Sequence, residues 1–224
     1  MEKHTIYTGL VLFKVISFIS IVIFLNLGIF LDITQVPKES DIIISLGGSD
    51  ISRIYTSLNL LENHYSTQNK IIYFGTKNQL FWKIRNNRTL EKEVQNTIHL
   101  IENIGNMTNT MDELNYIDTV VKDNNYSSII IVTSPPHSKR VHFMIENFTK
   151  HLKDKYIIVS SNPKWWNRYY YFLNVKALLY SLLEVNKIIY NYIKYSFLKD
   201  TFISQKLDSS ARKVKKIISN NLNI

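Results

Sequence analysis

The residues with the most chemical content fall in three short stretches. Gly47-Gly48-Ser49-Asp50 closes an apolar run and opens a helical pattern. Paired glycines let backbone N–H groups turn toward a ligand and the helix start beyond them favours an anion, so this stretch is a candidate phosphate or carboxylate cradle. It matches neither the dinucleotide-binding G-x-G-x-x-G nor a P-loop, and a tight turn with Ser49 or Asp50 as helix cap explains the same residues. Arg53, one turn into that helix, either points a fixed positive charge at the crevice or lies on the surface. In the second stretch, Asn109-Thr110-Met111-Asp112-Glu113, the polar groups also fit a capping box, in which Asn109 or Thr110 caps and Glu113 reaches back. The sequence favours capping there. The third, Thr133-Ser134-Pro135-Pro136-His137-Ser138-Lys139-Arg140, leaves an apolar run into a turn stiffened by two prolines and brings Ser134, His137 and Arg140 near a strand end. A neutral imidazole shuttles protons near pH 7, and a guanidinium binds phosphate oxygens in a bidentate manner, so a functional reading is favoured here.

Other chemistries are excluded or unsupported. With no cysteine in the chain, disulfides, thiolate metal sites and cysteine nucleophiles are ruled out. His64, His99, His142 and His151 lack paired i,i+4 ligand spacing with carboxylates, so no metal is expected, and no cofactor motif is present. Ser45 and Ser134 lack the glycine setting of a nucleophile elbow. Trp165 and Trp166 fit core filling better than stacking on a sugar or lipid. The net charge of +9, from 27 Lys+Arg against 18 Asp+Glu, suits an anionic lipid surface or a lysine-rich composition. The basic residues are scattered without a reader motif, so nucleic acid is not expected as a partner.

These stretches need elements to hold them. DIIISLGG at 41 to 48, KIIYFG at 70 to 75, SIIIVT at 128 to 133 and YIIVS at 156 to 160 are continuous apolar runs, the mark of strands buried on both faces. A fifth short strand is expected at 97 to 101. Helices are expected at 50 to 64, with Ile51, Ile54, Leu58 and Leu61 on one face, around 77 to 95, and at 110 to 124. The alternation predicts an α/β fold, a Rossmann-like doubly wound and mainly parallel sheet with its ligand crevice at the carboxyl ends of the strands. From Trp165 to Tyr195 the pattern predicts an amphipathic helix closing over the sheet, with a Tyr/Trp/Lys surface that also suits a bilayer.

Ahead of all this, Leu10 to Leu31 is apolar apart from Lys14. Such a run meets the requirement of about 20 residues for a transmembrane helix, and Lys14 can snorkel to the headgroups. No small-x-small cleavage pattern follows, which favours a retained anchor over a cleaved signal peptide. Lys3 and Lys14 before the span favour a cytoplasmic N-terminus, with the soluble domain on the outer side of the plasma membrane. The expected organisation is a tail and anchor at 1–31, an extended tether at 32–40 of at most ~30 Å, an α/β domain at 41–200, and a basic tail at 201–224 with Arg212, Lys213, Lys215 and Lys216.

In this order, an N-terminal anchor, DIIISLGG with Arg53, NTMDE at 109 to 113, VTSPPHSKR at 132 to 140, and Trp165/Trp166 followed by Glu184 resemble the YdcF-like family, the group known as domain of unknown function 218. The likeness covers about residues 40 to 190. It implies a Rossmann-like domain, often membrane-anchored and extracytoplasmic, tied to peptidoglycan or lipid-carrier metabolism. The family's polar positions map onto Gly47, Gly48, Arg53, Asn109, Thr110, Glu113, Ser134, His137 and Arg140. Two places depart from the pattern: Tyr73-Phe74-Gly75-Thr76 replaces a Ser-Gly-Gly type turn, and Pro135-Pro136 stands where an aromatic often precedes the His. The expected ligand is an anionic, phosphate-bearing envelope precursor. Gly47, Gly48, Ser49, Arg53, Asn109, Thr110, Ser134 and Arg140 are expected to bind, and His137 and Glu113 to transfer protons if there is turnover. Two alternatives stand beside this one: a non-catalytic scaffold for envelope-synthesis proteins, and a nucleotide or cofactor domain facing the cytosol.

Overall fold

The computed structural model describes residues 2–48, 50–75, 101–105, 107 and 109–197. Ser49, the helix expected at 77 to 95, the start of the fifth strand with His99, and the basic tail lie outside the described residues. Five strands form one sheet in the order β3-β2-β1-β4-β5: β1 Ile42–Ser45, β2 Ile71–Tyr73, β3 Ile101–Asn103, β4 Ile129–Thr133 and β5 Tyr156–Ser160. Every pairing is parallel, with Ile43 opposite Ile71 on one side and Ile130 on the other. The fold is therefore the expected α/β architecture, a Rossmann-like parallel sheet with helices on both faces.

The continuous Ile/Val runs follow from that burial. Ile42, Ile44, Ile129 and Ile131 face one core with Leu114, Ile117 and Val121 of α3 (Thr110–Asp123) and Val141 and Met144 of α4 (Pro135–Phe148). Ile43, Ile130 and Val132 face the other, under Ile54, Leu58 and Leu61 of α2 (Ser52–Glu62). Each such side chain contributes ~1.5–3 kcal/mol by leaving water. From β1 the chain winds outward through β2 to β3, then crosses back to β4. The carboxyl ends of β1 and β4 are thus the topological switch point, where a ligand crevice opens in sheets of this kind.

Three expectations are corrected. Pro135 and Pro136 do not stiffen a turn: they are the first two residues of α4. Their missing N–H groups cost nothing there, because first-turn amides have no intrahelical partner. His137 and Arg140 consequently lie one turn apart on a single helix face. Second, 165 to 195 is not one helix. A turn leads into a 3-10 segment, Tyr171–Leu173, and α5 begins at Val175 and runs to Phe197. Asn167 Oδ1 accepts the N–H groups of Tyr169 and Tyr170, and Asn174 Oδ1 accepts that of Ala177, so two asparagines divert the backbone before the helix starts. α5 then packs chiefly on α4 and the 3-10 segment, since α3 and α4 already cover that face of the sheet.

Third, the extended tether expected at 32 to 40 is docked on the domain and does not hold it away from the helix before it. Gln35 donates its N–H to the Ile158 carbonyl (2.8 Å) and accepts the Ile158 N–H on Oε1 (2.7 Å), while Thr34 Oγ1 accepts the Ser160 N–H (3.0 Å). β5 is an edge strand whose open backbone groups need such partners. The long helix α1, Glu2–Leu31, is therefore joined to the domain by a docked segment. Within it, Gly9–Leu31 is long and apolar enough to cross a membrane. Two of its polar side chains bond back to its own backbone, Ser20 to the Ile16 carbonyl and Asn26 to the Val22 carbonyl, which lowers the cost of carrying them on an apolar helix.

Candidate functional site at the switch point

The loop after β1 closes around a buried arginine. Arg53 turns back from the first turn of α2 and donates from Nε to Ser134 Oγ (2.9 Å) and from Nη1 to the carbonyls of Leu46 (3.3 Å) and Gly47. It thus ties the end of β1 to the end of β4 across the crevice. Burial lowers its affinity for a proton, and Glu113 and Asp50 counter that. An arginine with carboxylate neighbours stays charged at any ordinary pH. The helix start is held by Asp50, whose Oδ1 accepts the Ser52 N–H (3.0 Å) and hydroxyl (2.7 Å).

Glu113 does not reach back within α3 as a capping box requires. Its Oε1 instead accepts the Gly47 N–H at 3.0 Å, across the sheet end. Asn109 alone caps α3, taking the N–H groups of Met111 (2.8 Å) and Asp112 (3.1 Å). The first turn of α3 thus lies beside the loop that follows β1. A carboxylate therefore sits on the very amide that the sequence assigns to a ligand anion. Burial raises the Glu113 pKa, and the Gly47 bond and Arg53 oppose the rise.

Gly47 tolerates no side chain. A Cβ there would come within 2.5 Å of the Phe74 carbonyl oxygen and 2.8 Å of Glu113 Oε1, and Gly48 beside it has a φ of 133°. Because one obstacle is backbone, Gly47→Ala should cost about 1–3 kcal/mol through strain. Urea unfolding of the variant against the parent measures this, and a change below about 0.5 kcal/mol would mean the loop yields freely.

The second half of the site is centred on a residue of α5. Glu184, 3% exposed, receives Arg140 Nε on Oε2 at 2.6 Å and Nη2 on Oε1 at 3.4 Å, and Lys187 Nζ on Oε1 at 2.7 Å. His137 Nδ1 lies 3.2 Å from Oε2 of the same carboxylate. Arg140 also donates from Nη1 to Thr110 Oγ1 (3.1 Å), joining α3, α4 and α5 at one point. Burial by itself would raise the Glu184 pKa, but Arg140, His137 and Lys187 together hold it well below the usual carboxylate range. The His137 pKa falls to about 3, first through burial and then through Arg140. At neutral pH the ring is thus uncharged, and its contact with Glu184 is a hydrogen bond rather than an ion pair. A carboxylate only accepts, so Nδ1 carries the proton and Nε2 keeps its lone pair.

The structure therefore gathers Gly47, Gly48, Arg53, Glu113 and Ser134 into one cluster and Thr110, His137 and Arg140 into an adjoining one. Asn109 is drawn into its cap. Glu184 and Asp50 were not among the expected binding residues. The signal for Glu184 was its place on the stripe Ala177, Ser181, Glu184, Asn191, all buried, where an acid demands a buried partner. At the ends of β1 and β4, Ser45 and Thr133 also bury hydroxyls that meet no partner among the described residues.

One contact links this site to α1. Ser138, the residue after His137, shares its single hydroxyl proton between the carbonyls of Leu31 (2.9 Å) and Pro135 (2.8 Å) and accepts the Ile33 N–H (3.0 Å). Asp32 beside it accepts from Ser160 Oγ (2.8 Å) and Trp166 Nε1 (3.1 Å). The first turn of α4 is clamped to the end of the apolar helix.

Fold and site together define an α/β domain of parallel-sheet type, with a buried polar network at its switch point and a potential membrane-spanning helix fastened behind it. No protein-family model matches this chain, and no curated protein sequence does.

Proposed function

We propose that this chain is a YdcF-like, single-pass membrane protein whose switch-point crevice binds a phosphate-bearing envelope precursor carried on a lipid, such as a polyprenyl-phosphate-linked glycan. The observation that carries this reading is the Ser138 clamp on Leu31, which puts His137 and Arg140 within a residue or two of the end of the apolar helix. With α1 across the bilayer, that is the depth at which a lipid phosphate lies. Arg53, Arg140 and the Gly47 amide supply charge and donors for the phosphate oxygens, and Glu113 yields the amide on taking a proton, which its raised pKa favours. A bound dianion would also return His137 toward its usual pKa, making it competent for proton transfer. The N-terminus lies in the cytoplasm and the domain outside the plasma membrane. An alkaline phosphatase fused after residue 224 is then active, and an inactive fusion reverses the orientation.

The binding test uses the full chain in nanodiscs of neutral lipid, with thermal unfolding followed as a polyprenyl phosphate or the matching polyprenol is added. Ligand at about 100 times its Kd stabilises by ~2.7 kcal/mol. The phosphate should raise the midpoint of the parent by several degrees, the alcohol should not, and Arg140→Lys, which keeps a charge for Glu184 but loses the fork, should respond far less. Equal responses to phosphate and alcohol, or none to either, defeat the reading.

A second reading has its own observation. Arg53, Glu113, Arg140 and Glu184 are all paired within the protein. A scaffold for envelope-synthesis proteins with a vestigial crevice would look the same. In that case Arg140→Lys leaves function in the cell intact while changes on the Tyr-rich face of α5 abolish it.

A further inference from the structure

The segment between β5 and α5 descends along α1. The Tyr171 ring is fully buried against that helix, 5.9 Å from the Phe24 ring, and its hydroxyl donates to the Phe24 carbonyl. Phe172 lies 6.0 Å from Phe24 and 5.6 Å from Tyr171, so the three rings form one cluster. Gly28 permits the approach, because a Cβ there would collide with the Arg168 carbonyl oxygen and the Tyr171 ring. From Leu31 back to Phe24 the helix falls by about 10 Å at about 1.5 Å per residue. Whatever packs beside Phe24 shares that depth.

The outward side chains of this segment are apolar or aromatic. Tyr169 is 58% exposed, Tyr170 61%, Leu173 75% and Val175 73%. The segment meets α1 at Phe24 and Gly28, and α1 itself exposes Leu25, Ile29 and Phe30 over the same two turns. Cations border the patch: Lys139 sits 5.1 Å over the Phe30 ring, Lys176 5.2 Å over Trp165, and Arg168 donates to the Asp32 carbonyl (3.4 Å). Aromatic and aliphatic groups below, with lysine and arginine above, are the pattern of an element lying at the headgroup–acyl boundary.

We propose that the elbow 168–175 inserts into the outer part of the bilayer beside α1, so that the domain is seated on the lipid surface at two adjoining points and not merely tethered to it. The occupant of the patch is the membrane, because the segment that carries it is packed on α1 at Phe24 and Gly28 and so shares the depth of the last two turns of an apolar, outward-exposed helix. The inference rests on α1 crossing the bilayer but not on the identity of the crevice ligand.

The chain has no cysteine, so single labels can be introduced without a background. Full-length Tyr170→Cys, Leu173→Cys, Ile21→Cys and Glu62→Cys, each carrying a nitroxide, are reconstituted in phosphatidylcholine–phosphatidylglycerol vesicles and compared for relaxation by oxygen and by a water-soluble nickel chelate. Positions 21, 170 and 173 should be more accessible to oxygen than to nickel, and 62 the reverse. Nickel-dominated relaxation at 170 and 173 with oxygen-dominated relaxation at 21 overturns the elbow while leaving the span intact. Nickel dominance at 21 as well overturns the span, and the elbow with it. Dipolar broadening between labels at 173 assigns the patch to a second copy of the chain, which also overturns the proposal.

Discussion

Glu184→Gln should lose about 3–5 kcal/mol of stability, because it preserves shape and removes the charge that Arg140, Lys187 and His137 share. Arg140 and Glu184 have side chains only 11% and 5% exposed, so water cannot replace what is lost. In a domain of this size that loss lowers the thermal midpoint by roughly 10 °C or more. The gain from the pair itself is a separate matter, since both groups were desolvated to form it. Arg140→Met combined with Glu184→Leu should therefore recover much of the stability, as apolar replacement of a buried pair often does. Denaturant unfolding of the parent, the single variant and the double variant measures both effects. A single variant within 1 kcal/mol of the parent would mean that Arg140 and Lys187 find other partners and that Glu184 is no hub.

Acid should weaken the fold well before ordinary carboxylates titrate, and His137 is the reason. Its folded pKa is about 3 against 6.5 for the free ring. Between those values the unfolded chain binds a proton that the folded chain refuses, so stability rises with pH across the window and is lost as pH falls through it. The loss amounts to about 2 kcal/mol by pH 5 and about 3 kcal/mol by pH 4. Glu184, held well below its usual range, adds a loss of the same sign once pH falls under 4.5. Glu113, raised by burial, acts in the opposite sense: its contribution is present below 4.5 and lost as pH rises through its folded value. Urea midpoints of the parent should fall from pH 7 to pH 5, and His137→Asn should flatten that slope. An unchanged midpoint over this interval would show that the folded protein lets the ring take up a proton as readily as the unfolded chain does. The same shift bears on chemistry, since a ring with a pKa near 3 accepts protons poorly at pH 7 until an anion faces it.

Both predictions concern the meeting of α3, α4 and α5, and that meeting is what ties the crevice to α1. Ser138 links Leu31 to the turn that carries His137, and Arg140 links that turn to Glu184. A displacement of α1 relative to the domain would reach the site through these residues.

The strands were legible because a strand buried on both faces must be apolar throughout, and Ile42 to Ile44, Ile71 to Tyr73 and Ile129 to Val132 satisfy that without a break. α2 and α3 were legible from their periodicity, and α1 from length and the near absence of charge. Arg53, Ser134, His137 and Arg140 stood out because each lies just past a strand end, where a doubly wound sheet opens. The break between Trp165 and Val175 was concealed, since the apolar spacing runs on through Asn167 and Asn174 and only hydrogen bonding reveals that these asparagines cap turns. The docking of 32 to 40 was concealed as well: it depends on β5 being an edge, which follows from strand order and not from any local pattern. Glu113 and Glu184 show the same division. Sequence alone determined that both lie on helices, Glu113 at a helix start where it reads as a cap and Glu184 among the polar positions of an amphipathic helix, because periodicity marks a helix without telling which polar side chain turns inward. Their partners, Gly47 on one side and Arg140 with His137 on the other, were decided only by the tertiary structure, because a buried carboxylate takes the nearest donor and nearness between distant segments is set by the order in which strands pack.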